Sequence, residues 1–129
     1  MLVGDGMDAT IITGNLNVVD GATTCNCCCC WGWIHSSKST ISKHSRATKH
    51  QAVALRVGED QSVINGCKID AFQDTVYTHT LHQFYRDCYI TGTVDFIISV
   101  YGPYTSYDLN SLLEATVGEQ RAVLIGQGI

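Results

Sequence analysis

Residues 62–98 repeat themselves. Shifted by 21 positions, the stretch falls on itself with its chemistry kept: Val63 on Phe84, Ile64 on Tyr85, Cys67 on Cys88, Ile69 on Ile90, Asp74 on Asp95. A repeat of this length means stacked units, each burying its apolar face against the next. Within each unit, runs such as CKIDAF and CYITGTVDFII are β-branched and aromatic, punctuated by Gly, Asp and Asn, so they read as short strands joined by turns. Short strands recurring at this spacing specify an all-β chain coiled into a parallel β-helix. Adjacent strands lie about 4.8 Å apart, so Asp74 and Asp95 are expected one above the other at about that separation.

Two carboxyl groups so close do not ionise independently; one is pushed towards its neutral form while the other stays charged. A neutral acid beside an anion is the division of labour that acid/base or nucleophile/acid catalysis needs. Gln51 precedes Gln73 by 22 positions, close to one coil. Side-chain amides there can donate to a developing oxyanion. The same residues also have a plain structural reading, since aspartates favour turns and glutamines solvated faces. Spacing alone leaves both readings open.

Longer runs narrow the choice. GDGMDATIITGN, HQAVALRV, DQSVINGCKIDAFQDTVYTHT and QFYRDCYITGTVDFI closely resemble plant-type pectinesterase (pectin methylesterase). The resemblance covers Leu2 to about Thr24 and His50 to Ile97. It implies a right-handed, single-stranded parallel β-helix that removes methyl esters from homogalacturonan. It also implies roles: Asp95 in GTVDF as nucleophile, Asp74 in FQDTVY as general acid and then base, and Gln73 as oxyanion stabiliser. Gln51 and Thr24 would contact substrate, with Tyr77, three residues past Asp74, as a further cleft contact. No metal or organic cofactor is implied. Pectin is the implied partner, with a proteinaceous pectinesterase inhibitor as a second. The implied location is secreted, at the cell wall.

The length of 129 residues allows one domain. Residues 1–98 read as a partial pectinesterase catalytic domain and 99–129 as a tail outside the family. A β-helix of this family has more coils than 129 residues supply, and the family's leader and first coils are expected to lie outside the chain. A net charge of −4 and a pI near 5.6 argue against nucleic acid as partner. No apolar run is long enough to span a membrane, and no basic–apolar–small leader opens the chain.

Residues 25–48 break the pattern and are expected to be irregular. Five of the seven cysteines fall here, with two Trp, two His and a Ser/Lys/Thr-rich end. Cys25, Cys27, Cys28, Cys29 and Cys30 with His35 or His44 offer soft-metal ligands. Four consecutive cysteines lack zinc-site spacing, however, and adjacent cysteines rarely pair with good disulfide geometry. A third reading is a shifted reading frame. Codons can be chosen for Cys25 to Ser37 that, read one nucleotide later, give ATVAAVGDGFIA, similar to the strand–turn–strand found here in pectinesterases. On that reading the cysteines carry no chemistry, and one coil beneath the cleft loses its strands.

His50, His79 and His82 lack ligand-spaced partners and read as turn and face residues. Phe84 and Tyr85 read as core aromatics that could also stack on sugar. Cys67 and Cys88 stack as a buried thiol ladder or a disulfide; the resemblance implies that Cys88 pairs about twenty residues further on, where position 108 is Asp. After Ile97 the resemblance ends. The periodicity of residues 111–125 suggests a short helix with Leu112, Leu113 and Val117 on one side. The family's Arg-Pro-Trp motif, whose arginine supports the nucleophile, does not occur. Weak activity is therefore expected of the chain as written.

Overall fold

The computed structural model describes residues 2–21, 25–29, 35–45, 51–79, 82–99, 105–107, 112–117 and 120–125, with side chains described at 2–17, 19–21, 38–45, 51–79 and 82–98. The chain winds in coils, each laying strands on three faces in turn. The first coil carries β1 (Leu2–Val3), β2 (Ile11–Gly14) and β3 (Cys25–Cys29). The second carries β4 (His35–Ser37), β5 (Thr40–Lys43) and β6 (Val53–Val57), and the third β7 (Ser62–Asn65), β8 (Lys68–Asp70) and β9 (Val76–Thr78). The fourth carries β10 (Gln83–Arg86), β11 (Tyr89–Gly92) and β12 (Ile97–Ser99); β13 (Thr105–Tyr107), β14 (Leu112–Val117) and β15 (Gln120–Ile125) follow. Three sheets result, β1-β4-β7-β10-β13, β2-β5-β8-β11-β14-β15 and β3-β6-β9-β12. Neighbours are parallel except β14 and β15. This is the parallel β-helix that the 21-residue repeat specifies.

The core is a set of ladders through the coils. Ile41, Ile69 and Ile90 occupy one register line and are fully buried. Leu55 and Val76 form another, also buried, with Ile97 packed beside them. Tyr85 lies over Ile64 with no exposed surface, while Phe84 of the same strand stays on the outside. In-register stacking lets identical side chains pack without mismatch, and alternation sends the polar neighbours out. Cys67 and Cys88 form a buried ladder of free thiols, not a disulfide. Burial pushes the Cys88 thiol up to about 12, so it is unreactive as a nucleophile.

Two expectations fail. The described residues within 25–48 are not irregular: β3 pairs with β6 through Cys25 on Val53, Cys27 on Leu55 and Cys29 on Val57, and β4 and β5 each lie between two parallel neighbours. The ladder is made by backbone groups that every residue here possesses. The proposed helix in 111–125 is instead a strand pair: β14 adds to β11 in parallel and β15 returns antiparallel to β14. The open edge of β11 supplies partners that an isolated short helix lacks, and this outweighs the weak helical periodicity.

Candidate active site

The site is built at the corner between the β8–β11 face and the β9–β12 face. Residues 71–75 make this turn in the third coil, and residues 92–96 in the fourth. Asp74 and Asp95 hold the same place in each, both with left-handed backbone, φ 62° and 49°. Aspartate tolerates that conformation better than most residues, because its short polar side chain bonds locally. The backbone N–H of Asp74 donates to Val94 O at 3.4 Å and that of Val76 to Phe96 O at 2.9 Å, which locks one turn over the other.

Two threonines that sequence reasoning missed brace this stack. Thr75 Oγ1 donates to Thr91 O at 2.9 Å, and Thr93 Oγ1 donates to Phe72 O at 2.8 Å. The only signal for them was their place beside the aspartates. Gly92 is required by space: a Cβ there would lie 2.4 Å from both Phe96 Cβ and Thr75 Oγ1. Neither atom is the free end of a flexible chain, so Gly92→Ala is expected to cost about 1–3 kcal/mol of stability, read as a lowered urea midpoint. A midpoint equal to wild type would show that the two turns do not approach as closely as this.

The carboxyl groups occupy different environments. Asp74 is only 3 % exposed, whereas Asp95 is open to solvent. Burial raises the Asp74 carboxyl above its usual range, and the Asp95 charge raises it further. The corner therefore favours a neutral acid at Asp74. A carboxyl raised on folding keeps its proton in the native state while the unfolded chain loses it. Its stability contribution is full below the unfolded pKa and falls as pH rises through the native one. Asp74→Asn removes that fall. Its Tm is expected to exceed wild type at neutral pH and to converge with it below about pH 4. A variant melting below wild type at pH 7 would count against the burial of this group.

The two glutamines are also neighbours along the backbone. Ala52 N–H donates to Gln73 O, so Gln51 and Gln73 are neighbours at an offset of 22. Beyond them the offset becomes 21, because Ala54 and Leu55 both donate to Thr75 O. Two residues facing one is a β-bulge, a device that re-aims side chains beside functional sites. Gln73 is half-buried and Gln51 exposed, and no hydrogen bond among the described residues occupies either amide. Tyr77 lies on the outer side of β9, edge-on to His79 with ring centroids 5.3 Å apart. His82 bonds Asp60 at 2.8 Å on a different corner. Thr24, Cys30 and His50 lie outside the described residues, as do the side chains of Cys25, Cys27, Cys28, Cys29 and His35. His44 approaches Ser42 Oγ at 3.3 Å. Among the described residues no cation pairs with Asp95.

An open groove of about 540 Å³ lies on the adjoining β5–β8–β11 face, lined by Lys43, Lys68, Asp70, Phe72, Tyr89 and Thr93 among others. It reaches the corner through Phe72 and Thr93 but includes neither aspartate. The corner itself carries Asp74 and Asp95 on successive turns, with Gln73 preceding Asp74 in the chain.

A family model described as pectinesterase matches residues 1–102. The chain is 60 % identical over 100 residues to Pectinesterase/pectinesterase inhibitor 18 of Arabidopsis thaliana and 59 % identical over 109 residues to Pectinesterase 2.2 of Solanum lycopersicum. Each match covers 75 % of this chain but 18 % of the relative, so the chain spans under a fifth of those proteins. Among solved structures, pectin methylesterase from carrot superposes with a TM-score of 0.79 at 38 % identity, covering 89 % of this chain and 36 % of that one.

Proposed function

The chain belongs to the pectinesterase family, and from that premise we propose that its aspartate corner hydrolyses methyl esters of a uronate polymer, pectin, to free carboxylate and methanol. The observation that carries the reading is the unequal burial of Asp74 and Asp95 on stacked turns. Asp95, exposed and anionic, attacks the ester carbonyl carbon. The oxygen of that carbonyl takes the negative charge and accepts hydrogen bonds from the Gln73 and Gln51 amides. The tetrahedral intermediate collapses, the carbon–methoxy bond breaks, and Asp74 gives its proton to the departing methanol. The uronyl group is then joined to Asp95 as an acyl-enzyme anhydride. Asp74, now a carboxylate, takes a proton from water, whose oxygen attacks the same carbonyl. Asp95 leaves as carboxylate, the uronic acid is freed, and Asp74 is again protonated. Tyr77 and Thr24 contact the polymer in this reading.

Relatives named as both pectinesterase and pectinesterase inhibitor support a proteinaceous inhibitor as a further partner, and a cell-wall substrate supports a secreted protein. Methanol release from methylated pectin tests the reading. A second reading is favoured by the lack, among the described residues, of a cation paired with Asp95: a chain that binds pectin with little turnover. Pectin retention without methanol release would select it.

A further inference from the structure

The groove of about 540 Å³ lies on the β5–β8–β11 face, round the corner from the dyad. Among its lining residues, Lys43 is the unusual one. The side chain is only 3 % exposed. Among the described residues no hydrogen bond or ion pair meets its ammonium group. A buried cation without an acceptor is costly, so an anion arriving in the groove gains a partner that the fold has left open. Burial also lowers the Lys43 ammonium from the usual lysine range, and an anion beside it favours the charged form again. Lys43 falls between the two stretches that resemble pectinesterase, so the resemblance assigns it no role.

Lys68, half-buried on the neighbouring strand, holds its Nζ 5.9 Å from the centre of the Tyr89 ring. It too forms no ion pair among the described residues. Asp70, the carboxylate of the lining, accepts from the Thr91 hydroxyl one coil on. Two lysines against one carboxylate leave the lining positive on a chain of net charge −4.

The aromatic residues narrow the kind of anion. Phe72 is 42 % exposed and Tyr89 half-buried, so ring surface borders both cations. Ammonium groups beside ring faces suit an acidic sugar, whose carboxylate meets the cation and whose C–H face meets the ring. Lys68 and Tyr89 share a register line, so cation and ring alternate in a step of about 4.8 Å, short enough for one sugar unit to touch both. An acidic peptide adds as a strand only at an open sheet edge, and β8 is paired on both sides here.

We propose that the β5–β8–β11 groove is a non-catalytic binding site for an acidic glycan, in which Lys43 and Lys68 hold free carboxylates and Phe72 and Tyr89 face the sugar rings. That the glycan is the de-esterified uronate polymer rests on the esterase reading of the corner. No bond is made or broken in the groove.

The test is calorimetric binding of unesterified oligogalacturonate, neutral oligogalactose and oligoglutamate to wild type, Lys43→Met and Lys68→Met. The wild type is expected to bind oligogalacturonate about tenfold or more tighter than either other probe. Lys43→Met is expected to weaken that binding about tenfold or more, and the more exposed Lys68→Met about threefold. Lys43→Met removes an uncompensated buried charge, so its urea midpoint is expected to equal or exceed that of wild type. Its methanol release from methylated pectin is expected to stay unchanged. Tighter binding of oligoglutamate than of oligogalacturonate would make the groove a peptide site and overturn the proposal. So would oligogalacturonate binding indifferent to both lysines, or a Lys43→Met midpoint below wild type, which would mean that the ammonium already has a partner in the fold. Should Lys43→Met not fold, an undiminished affinity in Lys68→Met overturns the proposal by itself. Lysine-dependent binding without methanol release would sink the esterase reading and leave this site standing. Methanol release with binding indifferent to the lysines would sink this inference alone.

Discussion

Asp95→Asn is expected to bring methanol release from methylated pectin down to background, a loss of about three to six orders of magnitude from whatever the wild type achieves. The substitution removes the attacking carboxylate and keeps nearly everything else. Asparagine has the same shape and tolerates the left-handed backbone that residue 95 adopts at φ 49°. Asp95 is exposed and pairs with no cation among the described residues, so no buried partner is orphaned. The loss should appear in kcat with pectin binding retained. The wild-type rate itself is expected to be low, because no cation among the described residues orients or stabilises this carboxylate as it attacks. A variant that turns over as fast as wild type would remove Asp95 from the mechanism, and with it the assignment of Asp74 as its acid.

The second large effect is on stability. Tyr85→Ala is expected to destabilise the chain by about 3–5 kcal/mol, a large share of what holds a small domain together. Tyr85 has no exposed surface and lies over Ile64 in the register line. Its hydroxyl donates to Gln83 Oε1 at 3.0 Å, and Gln83 Nε2 donates to Val57 O at 3.1 Å. The ring thus fills the interior, and its hydroxyl joins one face of the coil to another through a buried amide. Truncation leaves a cavity and a buried acceptor with one partner fewer. Tyr85→Phe separates the two contributions: it keeps the ring and is expected to cost about 1–3 kcal/mol. Urea unfolding measures both. A Tyr85→Ala loss under about 1 kcal/mol, the range of surface substitutions, would mean that this ring is not part of the core.

The legible parts of the chain were those where each coil repeats the last. Ile69 and Ile90, Ile64 and Tyr85, and Asp74 and Asp95 were paired from the 21-residue offset alone, and the strands align them in that register. The offset of 22 between Gln51 and Gln73 was visible, but its cause was not. It lies in a bulge at Ala54 and Leu55, set by how their N–H groups share one carbonyl. The cysteine-rich run was misread as irregular because its side chains carry no strand pattern. A parallel ladder on β6 needs only their backbone groups. Residues 111–125 were misread for the converse reason: a local period suggested a helix where an open sheet edge offers longer-range partners.

The repeat by itself determined a coiled β architecture and which residues share a ladder, since a side-chain period of two and a fixed strand spacing leave no other register that buries the isoleucines. The repeat could not decide which carboxyl is covered; the resemblance alone named Asp74 as the acid. Both sit in similar turns with similar neighbours, and only packing covers one and leaves the other to water. Protonation follows the solvent each carboxyl can reach and the charges that approach it. Those are properties of the assembled corner, not of either residue's place in the chain.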